Sequence, residues 1–144
     1  MLVVGGLLLA AACVFGRTVH HQFINFDDNE YVYENSHVTG GLTRSGIAWA
    51  FTHTAAINWH PLTWISHMAD CQMFHLWAGG HHLTNVLLHA AVAALLFLVL
   101  RQLTADFWPS ALAAALFAVH PLRVESVAWV AERKDLLSGL FFLL

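Results

Sequence analysis

A predominantly apolar segment, Leu83–Leu103, constrains the fold of this 144-residue chain more than any other feature. It is about 21 residues long, and a helix needs about 20 such residues to cross the hydrocarbon core of a bilayer. The composition agrees, because 58% of the residues are hydrophobic and only 10% are charged. The mean hydropathy of +0.62 also lies outside the range of ordinary soluble domains. We therefore predict an all-α integral membrane protein.

Shorter apolar segments accompany this span. We predict membrane helices over about residues 2–16, 83–103, 109–120 and 135–144, with a long loop over residues 17–80. The first segment is about 15 residues long and lacks the basic region and cleavage site of a signal peptide, which favours an uncleaved membrane helix. The last segment is too short to cross a bilayer. We therefore expect a fragment, in which residues 1–144 form the N-terminal part of a larger transmembrane module.

The long loop is too rich in aromatic residues for a disordered linker, and loops of this length usually carry function. Thr43 is placed to cap a short helix that runs to Phe51. Pro61 suits the first turn of a second helix, which we expect to extend to Leu76. Tryptophan and tyrosine side chains predict that both helices lie in the membrane interface, and Gly79-Gly80 is expected to close the loop.

Several classes of function find no support in the sequence. The net charge of -3 and the absence of a basic stripe argue against nucleic acid as a partner. No glycine-rich phosphate loop or GxSxG motif is present. Cys13 and Cys71 lie in different kinds of segment without metal-type spacing, so we expect both thiols to be unpaired.

Paired carboxylates follow the first apolar segment, in Phe23-Ile-Asn-Phe-Asp27-Asp28-Asn29-Glu30. Asp27 and Asp28 fall where the membrane meets water, and a carboxylate in such a pocket can act as a general base toward a hydroxyl group. The alternative is an ordinary Asx turn that caps the entry to a helix.

Three polar residues, His81, Asn85 and His89, share one face of the second membrane helix, since they lie four residues apart. Polar side chains at that depth usually face a bundle interior or a cavity. They can form hydrogen bonds between helices, line a substrate site, or ligate a metal or haem. A haem or metal protein would use His82, His89 and His120 as ligands.

The densest charged run extends from His120 to Asp135. Its charges can pair locally on a solvated interfacial helix. Alternatively, Arg123, Arg133 or Lys134 binds the phosphate of a lipid-linked donor. His60 precedes Pro61 in the long loop and is a further candidate for orienting a substrate.

These segments together resemble the N-terminal part of the GT-C superfamily of membrane glycosyltransferases. The resemblance is to bacterial membrane proteins that join such a module to tetratricopeptide repeats, and to the animal transmembrane O-mannosyltransferases that act on cadherins. The matching segments, in chain order, are Asn25-Phe-Asp27-Asp28, Trp59-His60-Pro61-Leu62, His82-Leu-Thr-Asn85-Val-Leu-Leu-His89 and His120-Pro121-Leu-Arg123-Val-Glu125-Ser-Val-Ala-Trp129 through Asp135.

The resemblance implies an inverting transfer of a sugar, expected to be mannose, from a polyprenyl-phosphate carrier to Ser or Thr hydroxyls of a protein acceptor. Asp27 or Asp28 would be the base, and Arg123 or Arg133 would steady the departing phosphate. The expected substrate-binding residues are His60, His82, Asn85, His89, His120, Arg123, Glu125, Arg133 and Lys134. No protein-bound metal is assigned, and the need for a divalent ion is left open.

The resemblance also implies that the long loop faces the periplasm from a bacterial inner membrane, whereas a count of basic residues alone favours the cytoplasm. One departure is His60, since animal members carry Tyr-Arg-Pro-Leu where this chain has Trp59-His60-Pro61-Leu62. We expect the fragment to be inactive alone. The alternative function is a non-catalytic membrane scaffold for a repeat domain.

Overall fold

The computed structural model describes residues 1–144, which form an all-helical protein. Helix α1 spans Leu2–Phe15 and continues into a 3₁₀ turn at Gly16–His20. This continuous segment, Leu2–His20, and a second one, Ala78–Thr104, are long and apolar enough to cross a membrane. The prediction of an all-α membrane protein is confirmed.

The region between these two membrane helices is a small helical unit rather than an open loop. A π-helical turn at Asn29–Tyr33 leads into three helices. They are α2 at Ser36–Thr39, α3 at Arg44–Thr52 and α4 at Pro61–Phe74.

The two helix starts predicted for this unit are confirmed. The Thr43 hydroxyl accepts a hydrogen bond from the backbone N–H of Gly46 at 2.9 Å, which caps α3. Pro61 occupies the first turn of α4, where its missing N–H costs nothing. A buried core of aromatic and aliphatic side chains joins this unit to the later segment around residue 130. The core consists of Tyr31, Val32, Val38, Ala50, Trp64, Met68, Cys71, Val130 and Ala131.

Helix α5 begins at Ala78, not at Leu83, and runs to Thr104. Gly79 and Gly80 therefore lie in its first turn, and the expectation that they close the loop is wrong. Both positions are tightly packed: a methyl group on Gly79 would collide with the carbonyl oxygen of Val19, and one on Gly80 would collide with the ring of Phe74. Close approach of the 3₁₀ turn after α1 explains the glycine at position 79.

Helix α6 spans Phe107–Val119 and packs against α1 and α5. A left-handed residue, Ala105, ends α5 and reverses the chain. The three helices meet in a second buried cluster that is rich in alanine, which permits close helix approach in a membrane. Its members are Leu7, Ala93, Phe97, Ala114 and Ala118.

After His120 the chain forms short turns and then returns to an apolar helix. A 3₁₀ turn at Pro121–Arg123 precedes α7 at Val124–Ala128. With a 54° bend, α6 and this segment form a third candidate span. A second 3₁₀ turn at Val130–Glu132 leads into α8, Arg133–Leu143, which packs along α5.

Candidate functional site

Asp28 holds two distant segments together through its carboxylate. Its Oδ2 atom accepts a hydrogen bond from the backbone N–H of Ile24 at 3.0 Å, and its Oδ1 atom accepts one from Ala131 at 2.9 Å. The side chain is 1% exposed. Burial raises the pKa of this carboxyl above its ordinary value of 3.8, while the two backbone N–H groups act in the opposite direction. Asp28 is therefore engaged on both oxygen atoms.

The neighbouring Asp27 is held very differently. Its backbone has φ of +67°, a conformation that is uncommon for a residue with a side chain. The side chain is partly exposed and makes no hydrogen bond or ion pair within the protein, although its carbonyl oxygen accepts from the N–H of Tyr31 at 2.8 Å. Strained backbone of this kind often occurs at functional sites. The adjacent carboxylates thus have different roles, one tied and one free.

A second contact fixes the carboxylate turn against the chain near residue 130. The indole N–H of Trp129 donates to the carbonyl oxygen of Phe26 at 3.1 Å, and the two rings pack at 5.4 Å between centroids. Together with the Asp28 contact, this holds the turn that contains Asp27 against Trp129 and Ala131. The first and the last of the segments that carry the resemblance are therefore neighbours in space.

Arg133 lies at the centre of a buried polar network. Its guanidinium group forms an ion pair with Asp70 at 2.5 Å, and neither side chain is more than 1% exposed. It also donates to Asn85 Oδ1 at 2.7 Å, to Ser66 Oγ at 3.0 Å and to the carbonyl oxygen of His81 at 2.9 Å. All three guanidinium nitrogens are used within the protein, so the structure gives Arg133 a role in joining α4, α5 and α8. The side chain is fully buried, and its contact with a phosphate stays a prediction.

Asn85 and His89 make hydrogen bonds between helices, as one of the three interpretations of this face expected. The Asn85 amide donates to the carbonyl oxygens of Val127 and Trp129 at 3.3 and 3.2 Å. The Nε2 atom of His89 lies 3.0 Å from the carbonyl oxygen of Ala118. Both side chains are fully buried, and their role toward a substrate stays a prediction.

The histidines named as haem or metal ligands do not converge. His82 packs edge-on against His21, with 5.9 Å between ring centroids. His89 binds α6, whereas the exposed His120 accepts a hydrogen bond from the N–H of Leu122 through Nδ1 at 3.2 Å. The three histidines contact different parts of the protein, so they do not form one set of metal ligands.

A different group, His67, Asp70 and His81, offers three ligand atoms that lie within 4.8 Å of one another. Arg133 already neutralises Asp70, and a divalent ion on the same oxygen atom would lie about 4 Å from the guanidinium group. At an effective dielectric constant of about 20, that repulsion is on the order of 8 kcal/mol. These residues therefore fit a metal poorly. Burial lowers the pKa of His67 well below 6.5, so its imidazole is neutral at physiological pH.

His60 and Lys134, two of the predicted substrate-binding residues, line the same surface cavity of about 430 Å³. Lys134 Nζ pairs with Glu132 at 2.5 Å and lies 5.6 Å from the ring centroid of Tyr31. Burial, followed by the charge of Lys134, lowers the pKa of His60. This imidazole is therefore a neutral hydrogen-bonding group near pH 7.

Arg123 and Glu125 lie outside this cavity. Arg123 stacks over the ring of Phe117 at 5.1 Å and lines a smaller apolar cavity of about 220 Å³ between α5, α6 and α8. Glu125 is exposed and has no side-chain partner, so the local charge pairing expected for it does not form. The predicted substrate-binding residues are thus spread over several parts of the molecule.

Asp70 and Tyr31 are central to the site, and the sequence analysis did not name them as candidates. Tyr31 stacks on Trp64 at 4.6 Å and receives Lys134 on its ring. Asp70 also accepts a hydrogen bond from Thr84 at 2.8 Å. The available signal was that Asp70 is the only charged residue in α4 and therefore needs a partner when that helix is buried.

The chain is similar to several curated proteins from animals. It is 32% identical to the protein O-mannosyl-transferase Tmtc1 of Drosophila melanogaster over an alignment of 146 positions, which covers 96% of this chain and 17% of that protein. It is 34% identical to the human protein O-mannosyl-transferase TMTC4 over an alignment of 168 positions, which covers 99% of this chain and 22% of that protein. A third relative, the protein O-mannosyl-transferase Tmtc2 of Drosophila melanogaster, is 35% identical over an alignment of 129 positions, which covers 83% of this chain and 14% of that protein.

No protein-family model matches the chain, and no solved structure is detectably similar to it. The chain spans less than a quarter of the length of the curated relatives described above. The expected resemblance to the transmembrane O-mannosyltransferases is confirmed. Over most of its length, this all-α membrane chain is a homologue of part of the protein O-mannosyl-transferases.

Proposed function

We propose that residues 1–144 are the first part of a GT-C-type membrane module that transfers mannose from a polyprenyl-phosphate carrier to Ser or Thr hydroxyls of a protein acceptor. The similarity to protein O-mannosyl-transferases supports transfer of mannose to protein. In this proposal the region that was predicted as a long loop, residues 17–80, faces the periplasm, and the module lies in a bacterial inner membrane. The remaining helices and a repeat domain belong to the longer protein.

The observation that carries the proposal is the difference between Asp27 and Asp28. A general base must reach the acceptor hydroxyl with an unengaged carboxylate oxygen. Both oxygen atoms of Asp28 accept backbone hydrogen bonds, whereas the side chain of Asp27 has no partner in the protein. We therefore assign the base to Asp27 and the positioning of its turn to Asp28.

The reaction assigned to this site is a direct displacement. Asp27 accepts the proton of the acceptor hydroxyl as the hydroxyl oxygen forms a bond to the anomeric carbon of the sugar. The bond between that carbon and the phosphate oxygen breaks, and the carrier phosphate leaves with the electron pair. Attack from the face opposite the leaving group inverts the configuration. The chain itself supplies the base and the turn that positions it.

The test uses the full-length protein in native membranes, a mannosyl-phosphate polyprenol and an acceptor protein. We expect Asp27→Asn to reduce transfer by about 100-fold or more, the size of a general-base contribution. Asp106→Asn, at the opposite end of α5 and α6, is the matched control and should retain activity. The proposal fails if the wild-type full-length protein transfers no mannose, or if Asp27→Asn retains full transfer. The first result would favour the membrane scaffold.

A further inference from the structure

One cavity combines a charged end with an apolar wall. We call it the α8 groove, defined by Trp59, His60, Leu62, Lys134, Leu137 and Phe141. Its volume is about 430 Å³, and it lies between the start of α4 and the first three turns of α8. The groove is separate from the buried network around Arg133.

The groove follows one face of α8. Lys134, Leu137 and Phe141 are three and then four residues apart, so their side chains lie on the same side of the helix. At 1.5 Å of rise per residue, the distance from Lys134 to Phe141 is about 10 Å along the axis. The end that contains Lys134 lies beside Trp59 and His60, and the apolar end extends along a helix that is hydrophobic throughout its second half. This polarity matches an amphiphile with an anionic head.

We infer that the α8 groove binds the phosphate and the first isoprene units of the polyprenyl-phosphate carrier, with Lys134 and His60 at the phosphate. The inference rests on the proposed function. One lysine and one neutral imidazole suit a single phosphate group better than a pyrophosphate, which would require more positive charge. Neither Arg123 nor Arg133 lines this groove.

The position of the groove relative to Asp27 supports this assignment. Tyr31 connects the two, because its N–H donates to the Asp27 carbonyl oxygen at 2.8 Å and its ring lies 5.6 Å from Lys134 Nζ. Base and phosphate site therefore flank the same aromatic residue. A displacement requires the base and the leaving phosphate on opposite sides of the reacting carbon, so the sugar of the bound carrier would lie between Asp27 and Lys134.

Glu132 provides an internal competitor for the phosphate. Its Oε1 atom lies 2.5 Å from Lys134 Nζ, so an arriving phosphate must share or displace this contact. Removing the Glu132 charge should strengthen phosphate binding if Lys134 binds the carrier. If Lys134 only stabilises the fold through its ion pair, the same change should lower thermal stability and leave carrier binding unaltered.

The experiment uses the full-length protein in detergent micelles with a photoactivatable polyprenyl phosphate as the probe. Crosslinking is titrated and the modified peptides are mapped. We expect Lys134→Ala to weaken binding about tenfold or more, Lys134→Arg to bind nearly as well as wild type, and Glu132→Gln to bind more tightly. Arg101→Ala, at the far end of α5, is the control and should bind normally.

Three results would overturn the inference. Crosslinks could map away from the α8 groove, or Lys134→Ala and Glu132→Gln could leave binding unchanged, or phosphatidylglycerol could compete as well as unlabelled polyprenyl phosphate. The last result would identify an ordinary lipid site. Inorganic phosphate alone should compete only weakly, because the apolar wall contributes to binding.

The outcomes also separate this inference from the proposed function. Crosslinking to the groove in a protein without transferase activity would support the carrier site and refute the transferase. Full transferase activity in Lys134→Ala, with an unchanged KM for the donor, would support the transferase and refute the carrier site at the α8 groove. Asp27→Asn should retain crosslinking, because this carboxylate is assigned to the acceptor hydroxyl and not to the carrier phosphate.

Discussion

The carboxylate of Asp28 accepts a hydrogen bond from the backbone N–H of Ala131, a residue 103 positions later in the chain. This contact holds the turn that contains Asp27 against the 3₁₀ turn that precedes α8. The adjacent Asp27 can then present its side chain without support of its own. Hydrogen bonds thus fix the side chain of Asp28, whereas the side chain of its neighbour Asp27 has no partner in the protein.

Asp28→Ala should destabilise the protein by about 1–3 kcal/mol, because the backbone N–H groups of Ile24 and Ala131 would lose their acceptor. The thermal midpoint, Tm, measured by tryptophan fluorescence in detergent, checks this. Glu125→Ala, which removes an exposed carboxylate without a partner, should leave Tm nearly unchanged. Equal effects of the two substitutions would contradict the structural role of Asp28.

The stability contribution of Asp28 should depend on pH in a defined direction. Burial raises its folded-state pKa above 3.8, so the folded protein binds more protons than the unfolded chain between 3.8 and that raised value. The unfolding free energy of the wild type relative to Asp28→Asn should therefore fall as pH rises through this window. Paired Tm series of both proteins from pH 3 to pH 7 measure this difference. A difference that rises with pH would show that hydrogen bonding outweighs burial.

The buried pair of Asp70 and Arg133 should be strongly coupled. Removing one member leaves an uncompensated buried charge, and such losses are about 3–5 kcal/mol. We expect Asp70→Asn combined with Arg133→Met to cost less than the sum of the two single changes. A double-mutant cycle on the unfolding free energy provides the measurement. Simple additivity would show that the two groups act independently.

Gly79→Ala should destabilise the protein, since the added methyl group meets the carbonyl oxygen of Val19 and the ring of Trp77. Overpacking of this kind costs about 1–3 kcal/mol. Gly5→Ala is the matched control, because its methyl group would enter open space within α1. That change should be neutral or stabilising by up to about 1 kcal/mol, the difference in helix propensity. A stable Gly79→Ala protein would argue against close packing at this site.

Local signals predicted much of the helical framework. Thr43 and Pro61 mark helix starts through contacts within one turn, so the chemistry that decides them is visible in neighbouring residues. The apolar length of the segment around Leu83–Leu103 likewise predicted a membrane helix. Gly79 and Gly80 are ambiguous in the sequence because glycine suits both a turn and a close helix contact, and only the packing of Val19 against Gly79 and of Phe74 against Gly80 distinguishes the two.

The candidate site was less accessible to sequence reasoning. Arg133 pairs with Asp70, which lies in a different helix, and local spacing does not reveal such pairing. Spacing correctly placed Asn85 and His89 on one face, although it could not decide between hydrogen bonding and ligand binding. The different roles of Asp27 and Asp28 depend on Ala131, and adjacency alone could not assign them.

The network around Arg133 also sets an order on biosynthesis. Asn85 and Asp70 receive the guanidinium group only after the ribosome has added position 133, which lies 48 residues beyond Asn85. Until then, the carboxylate of Asp70 lacks its counter-charge, and burying an uncompensated charge is costly. A chain that stops before Arg133 is therefore expected to fold less stably than a chain that includes it, because only the longer chain can neutralise Asp70 in the buried network.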